Sequence, residues 1–290
     1  MGISSELKLL EFANRVTDDG GFTEQPGGYY RPDATALGVL ALERCGPHDL
    51  ILDSAKLCLA SSQGADGRVF ISPDMPDSIW PTPLACLAWV GSPQYRKQMN
   101  LAVDFLLKTS SRVFQNRPDM PFSHDLEIPG WPWTSDTFAW IEPTAMAILA
   151  LSAAGYGGHP RVADGVRLIM DRQLSKGGWN YGNTVVYGQE LLPQPDQTAI
   201  ALLALATRVD IQDVSLSLDY IKQRIVSLRS PRSLGWAVMA LTAWKQRPDE
   251  AREWIKESLD SHEKFGALDT SVLSILALAY FVENTLELFP

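Results

Sequence analysis

The chain has 290 residues, of which 46% are hydrophobic and 20% are charged, so it has enough apolar side chains to bury a sizeable core. Its 25 basic and 34 acidic residues give a formal net charge of −9, and no lysine- or arginine-rich run stands out, which excludes nucleic acid as an electrostatic partner. The sequence shows no secretory signal and no apolar stretch of the roughly 18 residues that a membrane span needs, so we expect a cytoplasmic protein.

Six apolar segments rich in Ala and Leu recur along the chain. They are TALGVLALE (35–43), TPLACLAWV (82–90), TAMAILALS (144–152), TAIALLALA (198–206), LGWAVMALT (234–242) and SVLSILALA (271–279). Each is apolar on nearly all faces, which is typical of a helix enclosed by other elements. We therefore predict six inner helices.

Amphipathic segments alternate with these helices, and their apolar residues recur at i, i+3, i+4 and i+7. They are ELKLLEFANRV (6–16), LILDSAKLCLA (50–60), RKQMNLAVDFLLKT (96–109), RVADGVRLIMDRQ (161–173), VSLSLDYIKQRIVSL (214–228) and DEAREWIKESLDS (249–261). Strand signals are almost absent. The alternation predicts one all-α domain over 1–290, an (α/α)6 toroid of six helical hairpins with an inner and an outer ring. The Pro- and Trp-rich loop 114–140 is predicted to be a lid or a mouth loop.

One residue of each repeat stands two positions before the inner segment. These residues are Asp33, Trp80, Glu142, Asp196, Arg232 and Asp269. In a toroid all six lie at one mouth, at the N-terminal ends of the inner helices. Each carboxylate by itself suits a helix N-terminus as a cap. A general acid would instead stay protonated in a dry site, with a neighbouring carboxylate raising its pKa.

Aromatic residues gather near the same helix starts. The residues that we predict to line a cavity are Tyr30, Trp80, Trp131, Trp133, Trp140 and Trp236. Aromatic faces stabilise carbocations and other cations, although core packing is the alternative role for any one of these rings. Arg232 and Asp269 are added to the predicted binding residues, since Arg232 can tune or neutralise an acid on the rim.

Two stretches resemble known families. QLSKGGW (173–179) fits the QxxxGxW pattern of squalene–hopene and oxidosqualene cyclases, and DDGGFTEQPGGYYRPDATALGVLAL (18–42) looks like the stretch of these cyclases that leads into their DxDDTA acid motif. DGGF followed by a helix is also similar to the repeats of protein prenyltransferase β-subunits. The resemblance implies the toroid fold. It also implies a structural role for Gln173, which would bridge helix ends, and for Trp179, which would stack.

The resemblance to the cyclases further implies a class II, protonation-initiated terpene cyclase without a metal or organic cofactor. Its substrate would be a linear isoprenoid, which related enzymes collect at a membrane surface. The middle Asp of DxDDTA donates the proton, and Asp33 has its register. Arg31 and Ala34 stand where the other two acids would be. It stays open whether Glu142 or Asp196 supplies the missing partner or replaces the acid, or whether the acid function is lost.

Two other functions stay open. One is a non-catalytic binding or scaffold toroid that has lost the acid cluster. The other is chemistry on a sugar, since paired carboxylates across a mouth also suit glycoside hydrolysis. A prenyltransferase-type zinc site is not expected, because no His or Cys has the required spacing, and no diphosphate–magnesium motif is present.

Overall fold

The inner helices begin where the repeats predict them. The computed structural model describes residues 8, 10–45 and 48–283. Four of the six inner helices begin at a proline, which suits a first helical position because its φ is fixed and it has no N–H to satisfy. The inner helices are α1 (Pro32–Cys45), α3 (Pro81–Trp89), α5 (Ile141–Leu151), α7 (Pro195–Leu205), α9 (Pro231–Ala243) and α11 (Thr270–Phe281).

Amphipathic outer helices alternate with the inner ones. In the described residues they are α2 (Asp49–Ser61), α4 (Arg96–Lys108), α6 (Pro160–Asp171), α8 (Ser215–Ile225) and α10 (Ala251–His262). The first predicted outer helix, 6–16, shows a 3₁₀ turn at Glu11–Asn14 in its described part. Its residues 6, 7 and 9 lie outside the described residues, as does the rest of the N-terminal segment before residue 8.

The inner helices form a closed ring. Each packs against the inner helix before it and the one after it, and α11 packs against α1. Every residue of α3 is buried, whereas α4 buries only one face, with Ala102, Val103 and Leu106. The removal of this apolar surface from water, at about 25 cal/mol per Å², stabilises the ring. The predicted all-α toroid is confirmed.

A repeated threonine attaches the preceding loop to each of four inner helices. Its hydroxyl accepts the backbone N–H of a fully buried residue. The pairs are Thr35 with Phe22 (2.8 Å), Thr82 with Val69 (3.0 Å), Thr144 with Trp131 (3.0 Å) and Thr198 with Trp179 (2.9 Å). A buried N–H needs such a partner, because leaving it unpaired costs free energy. The polar residue at the start of these apolar segments is therefore a structural element.

Gln173 and Trp179 also have structural contacts. Gln173 Nε2 donates to Ser217 Oγ at 2.8 Å, which links the end of α6 to the start of α8. Trp179 is fully buried, and its Nε1 donates to the carbonyl oxygen of Ile169 at 2.7 Å. In QGADGRV (63–69), Gln63 Nε2 likewise donates to the carbonyl oxygen of Gln98 at 2.9 Å, in α4. The two glutamines therefore connect neighbouring hairpins, and Trp179 attaches its loop to α6.

The long loop runs between α4 and α5, so the predicted segment 114–140 carries no helix. Thr134 forms an antiparallel bridge with Ser78, near the mouth, and Phe122 forms one with Val186. Val186 belongs to a small antiparallel hairpin of β1 (Val185–Val186) and β2 (Gln189–Glu190), with Val185 opposite Glu190. The loop therefore reaches the mouth with its second half and covers another part of the surface with its first. In the part of the chain that the structure describes, each helix is too short or too polar to cross a membrane.

Candidate functional site

A cavity of about 120 Å³ opens at the N-terminal ends of the inner helices. Five of the six inner helices, or the residue before them, line it with a pair of residues four positions apart. The pairs are Asp33 and Leu37, Trp80 and Leu84, Glu142 and Met146, Arg232 and Trp236, and Ser271 and Ile275; Trp133 of the long loop and Pro143 complete the lining. Residues four apart lie on one helix face, one turn above each other. The cavity therefore has a largely polar rim above an apolar floor.

Asp33 is held by several hydrogen-bond donors. Arg31 donates through Nε to Oδ1 (3.0 Å) and through Nη2 to Oδ2 (2.7 Å), and the backbone N–H of Ala34 donates to Oδ1 at 3.0 Å. Trp80 Nε1 donates to Oδ2 at 3.3 Å. A two-point arginine contact stabilises a carboxylate. In this arrangement both carboxyl oxygens of Asp33 accept hydrogen bonds, and its role as a proton donor stays a prediction.

Glu142, in the first turn of α5, is held in a similar way. Arg232 Nη2 donates to its Oε1 at 2.6 Å, and Gln197 Nε2, from α7, donates to its Oε2 at 3.2 Å. The side chain of Glu142 is 14% exposed and that of Asp33 is 13% exposed, so each carboxylate retains some surface. The structure thus pairs Arg232 with an acid on the rim, as the sequence suggested.

Glu24 is a rim carboxyl that sequence analysis missed. Its Oε1 accepts the hydroxyl of Ser271, a cavity residue, and its backbone oxygen accepts the N–H of Thr270 at 2.8 Å. Its Oε2 is buried and has no hydrogen-bond partner in the described ranges. Burial, and then the charges of Asp33 and Asp269, raise the pKa of Glu24, against the opposing effects of the Ser271 bond and Arg31. Glu24 precedes α1 in a loop, where no repeat register indicates it.

Three tryptophans line the cavity. The rings of Trp80 and Trp133 meet edge to face, with centroids 5.8 Å apart. The backbone oxygen of Trp133 accepts the N–H of Ile79 at 2.9 Å, which fixes the long loop beside α3. Trp236 is 2% exposed, and its Nε1 has no hydrogen-bond partner among the described residues. Trp236 thus contributes to the cavity lining a side chain whose buried hydrogen-bond donor is unsatisfied.

Trp131 does not line the cavity. It is fully buried, its Nε1 donates to the carbonyl oxygen of Leu106 at 2.9 Å, and the guanidinium of Arg161 lies 4.2 Å from its ring centroid. It packs like Trp179, in the core between hairpins. The sequence contains a signal for this role, because Trp131 precedes Thr144 by 13 positions, as Phe22 and Val69 precede their threonines.

Four other predicted residues are also outside the lining of the mouth cavity. Tyr30 is largely buried, and its hydroxyl accepts that of Ser62 at 2.9 Å. Trp140 lines a different cavity. Asp196 lies in the first turn of α7, and Asp269, the residue before α11, accepts the side-chain amide of Gln25. The structure thus brings Asp33, Glu142, Arg232, Trp80, Trp133 and Trp236 together.

Comparisons with known proteins identify the fold. No protein-family model and no curated protein matches this sequence. An inactive variant of an α-1,6-mannanase from a Salegentibacter species, in complex with α-1,6-mannotriose, is similar over 97% of this chain and 98% of its own, with 14% identity and a TM-score of 0.64. A protein from Actinoplanes is similar over 90% of this chain and 80% of its own, with 17% identity and a TM-score of 0.56.

A type II terpene cyclase from Scytonema, in complex with its product merosterolic acid A, is a further similar structure. It covers 90% of this chain and 78% of its own, with 13% identity and a TM-score of 0.54. The chain therefore has the α/α toroid that a glycan-degrading and a terpene-cyclising enzyme share. Both of those proteins are seen with small-molecule ligands. At these identities the likeness establishes the fold and not the activity.

Proposed function

We propose that the mouth cavity, which opens at the N-terminal ends of the inner helices, binds a compact ring that carries hydroxyl groups and has an apolar face, such as a single sugar residue or a cyclic polyol. The observation that carries this proposal is the unpaired Nε1 of Trp236 beneath a rim of arginine-held carboxylates. A pure hydrocarbon would leave the buried N–H unsatisfied, whereas a ligand oxygen would accept it. We propose that a single toroidal domain over residues 1–290 carries either this function or the second candidate function described below.

The rim and the walls suit different parts of such a ligand. Asp33 and Glu142 retain lone pairs that can accept hydroxyl protons, and hydrogen bonds to charged groups are worth about 1.5–3 kcal/mol each. The faces of Trp80 and Trp133 can cover the apolar face of a ring. The cavity of about 120 Å³ lies below the ~300–1,000 Å³ that is usual for drug-sized ligands, which favours one ring over a long isoprenoid.

The test is isothermal titration calorimetry with mannose, glucose and myo-inositol as the ligands. We expect dissociation constants of about 0.1–10 mM for the best of them, which is ordinary for a single small ring. Glu142→Gln should weaken binding about tenfold, through loss of one charge-assisted contact. The matched control is Asp196→Asn, which changes a carboxylate in the same helical register that does not line the cavity. Equal losses in both variants, or no binding by any of the three compounds, would overturn the proposal.

Protonation-initiated cyclisation of a short linear isoprenoid is the second candidate, and one observation favours it. Glu24 has a raised pKa and lies against Ser271 of the cavity wall. In this candidate the Ser271 hydroxyl, which donates to Glu24 Oε1 in the structure, turns toward the substrate. Protonated Glu24 then gives its proton to Ser271 Oγ while Ser271 passes its own proton to an alkene or epoxide, which leaves a Glu24 carboxylate and a substrate cation. The three tryptophan faces would then stabilise the carbocation. An isoprenoid would reach the mouth from a membrane surface, which co-sedimentation with liposomes tests.

This candidate is tested with geraniol, farnesol and their terminal epoxides, with products analysed by gas chromatography and mass spectrometry. We expect Glu24→Gln and Ser271→Ala to lower product formation at least about 100-fold, since a general acid contributes roughly 10²–10⁴. Activity should fall as the pH rises through the raised pKa of Glu24, because the acid must be protonated. Absence of cyclic products from the whole panel would eliminate the cyclase candidate and would leave the binding proposal unaffected.

A further inference from the structure

A second cavity, of about 230 Å³, is lined by residues from both halves of the long loop, by Arg172 just after α6, and by Gly182 and Asn183. It shares no lining residue with the mouth cavity. We infer that it binds a compact apolar anion, such as an arylalkyl carboxylate. The inference rests on its aromatic entrance, its two guanidinium groups and the buried histidine beside them, and it does not depend on the function proposed for the mouth.

The entrance of the cavity is an exposed aromatic pair. The rings of Phe114 and Phe138 stack with centroids 5.2 Å apart and an interplanar angle of 26°. Phe114 is 38% exposed and Phe138 is 53% exposed, although both line the cavity. Leu126, Ile128 and Trp140 also line the cavity and are less exposed. Apolar side chains that remain exposed to solvent at the entrance of a cavity typically mark a binding surface.

Arg172 places a positive charge in the wall of this cavity. It is 6% exposed, and its Nη2 donates to the backbone oxygen of Asp125 at 2.9 Å. Its Nη1 lies 3.2 Å from Asp171 Oδ2 but donates no hydrogen bond in the described part of the chain. Burial lowers the pKa of Arg172 to about 10, so the guanidinium stays charged at neutral pH. A buried guanidinium with an unused donor is suited to an anionic oxygen.

Arg112 supplies a second positive charge at the exposed side of the cavity. Its backbone is fixed by donation to the carbonyl oxygen of Thr137 at 2.9 Å, and its guanidinium has no hydrogen-bond or ion-pair partner among the described residues. Of the nearby acids, Asp171 pairs with Arg172, and the Asp125 carboxylate accepts from Asn116 Nδ2 at 2.6 Å. Arg112 is exposed and thus adds a positive charge beside this cavity, in a chain whose net charge is −9.

His124 adds a ring nitrogen to the lining of this cavity. It is 8% exposed and packs against Phe122, with ring centroids 5.4 Å apart. Its Nδ1 lies 3.4 Å from the backbone nitrogen of Thr184, which can only donate. A ring that accepts there carries its proton on Nε2 when it is neutral. Two guanidinium groups, one imidazole donor and aromatic walls thus suit a carboxylate or a phosphate attached to one apolar ring.

The experiment compares phenylacetate with phenylacetamide, which has nearly the same shape and no charge, by isothermal titration calorimetry on the full chain. We expect phenylacetate to bind with a dissociation constant below about 1 mM, and phenylacetamide at least about tenfold more weakly, because charge-assisted hydrogen bonds are the stronger ones. Phenyl phosphate tests whether the site prefers a phosphate over a carboxylate.

Three variants locate the site. Arg112→Gln should weaken phenylacetate binding about tenfold by loss of the free charge, and Phe138→Ala should weaken it through loss of the aromatic wall. Both side chains are exposed, so neither change threatens folding. The matched control is Arg117→Gln, an exposed arginine of the same loop outside the lining, which should leave binding unchanged.

Equal binding of phenylacetate and phenylacetamide would overturn the assignment of an anion. Equal weakening by Arg112→Gln and Arg117→Gln would overturn the site, because it would show only a loss of surface charge. The whole inference would be overturned if neither phenylacetate nor phenyl phosphate bound at about 10 mM. This concentration is about ten times the largest dissociation constant expected. Loss of binding in Trp236→Phe would move the ligand to the mouth cavity and would also contradict it.

Discussion

At the scale of single residues, the rim of the toroid contains carboxyl groups in two different electrostatic environments. Arginines hold Asp33 and Glu142 as acceptors, whereas Glu24 has one oxygen buried without a partner and two acidic neighbours. Burial and like charge both disfavour the ionised form of Glu24. Glu24 is therefore the rim carboxyl whose surroundings disfavour the ionised form.

Glu24→Gln tests this environment through stability. The pKa of Glu24 is raised in the folded state, so folding favours the protonated carboxyl. The stabilisation linked to this proton is fully present below the ordinary pKa of 4.5 and is lost as the pH rises through the raised pKa. The variant should melt higher than the wild type at pH 8, by about 2 °C or less, since partial exposure screens the effect. The difference should disappear below pH 4.5. Differential scanning calorimetry across pH measures it, and a lower melting temperature of the variant at pH 8 would contradict it. Glu250→Gln, at an exposed position, is the control.

At the scale of the elements, the threonine at the start of an inner helix decides how the preceding loop is held. Thr144 Oγ1 accepts the buried N–H of Trp131, and Trp131 in turn donates its indole N–H to α4. One hydroxyl thus connects an inner helix, the long loop and an outer helix. The position of Trp133 at the mouth depends on the same loop.

Thr144→Val should destabilise the fold by about 1–3 kcal/mol, because the buried backbone N–H of Trp131 loses its acceptor while the side-chain volume hardly changes. Thr144→Ser keeps the hydroxyl and is the matched control; it should lose only about 1 kcal/mol or less through one methyl group. Urea unfolding followed by circular dichroism gives both values. If the two variants lost the same free energy, the hydrogen bond would not be the cause.

The contact between α9 and α11 depends on a residue without a side chain. A β-carbon at Gly235 would lie 2.6 Å from Ile275 Cγ2 and 3.2 Å from the Ile275 carbonyl oxygen. Alanine gains about 1 kcal/mol in helix propensity, but overpacking costs about 1–3 kcal/mol. We therefore expect Gly235→Ala to be destabilising overall. Gly158→Ala, where a β-carbon meets nothing within 4 Å, should stay within about 0.5 kcal/mol of the wild type. A gain in stability for Gly235→Ala in chemical denaturation would contradict the packing argument.

At the scale of the whole molecule, the ring closes where residues from the two ends of the described chain meet. Arg15 is 7% exposed, and its Nη1 donates to the carbonyl oxygen of Leu268 at 2.7 Å and to Thr270 Oγ1 at 3.2 Å. The backbone oxygen of Glu24 also accepts the N–H of Thr270. These contacts join the segment before α1 to the start of α11, beside the mouth.

Arg15→Lys should destabilise the molecule by about 2–3 kcal/mol, because lysine keeps the charge but lacks the planar set of donors that serves several acceptors. Guanidinium unfolding with the exposed Arg117→Lys as the control measures the loss. A change of less than about 0.5 kcal/mol in Arg15→Lys would mean that helix packing alone closes the ring.

Much of the architecture could be predicted from local patterns. Helical period, apolar content and the prolines at the first position of α1, α3, α7 and α9 all act within a few residues, so they can be recognised without a structure. The repeat register also placed Asp33, Trp80, Glu142 and Arg232 at one mouth, where they line one cavity. The register could not separate these from Asp196, because equivalent positions on a ring differ in what the neighbouring loops place beside them.

The sequence by itself thus determined the toroid, its two rings of helices and the end at which polar residues gather, since each depends on periodicity along the chain. Only the tertiary structure decided that Trp131 packs in the core, that Arg31 holds Asp33, that Glu24 lies beside Ser271, and that the long loop encloses a second cavity. The physical reason is that these features depend on the paths of loops and on contacts between residues far apart in the chain, which no local period encodes.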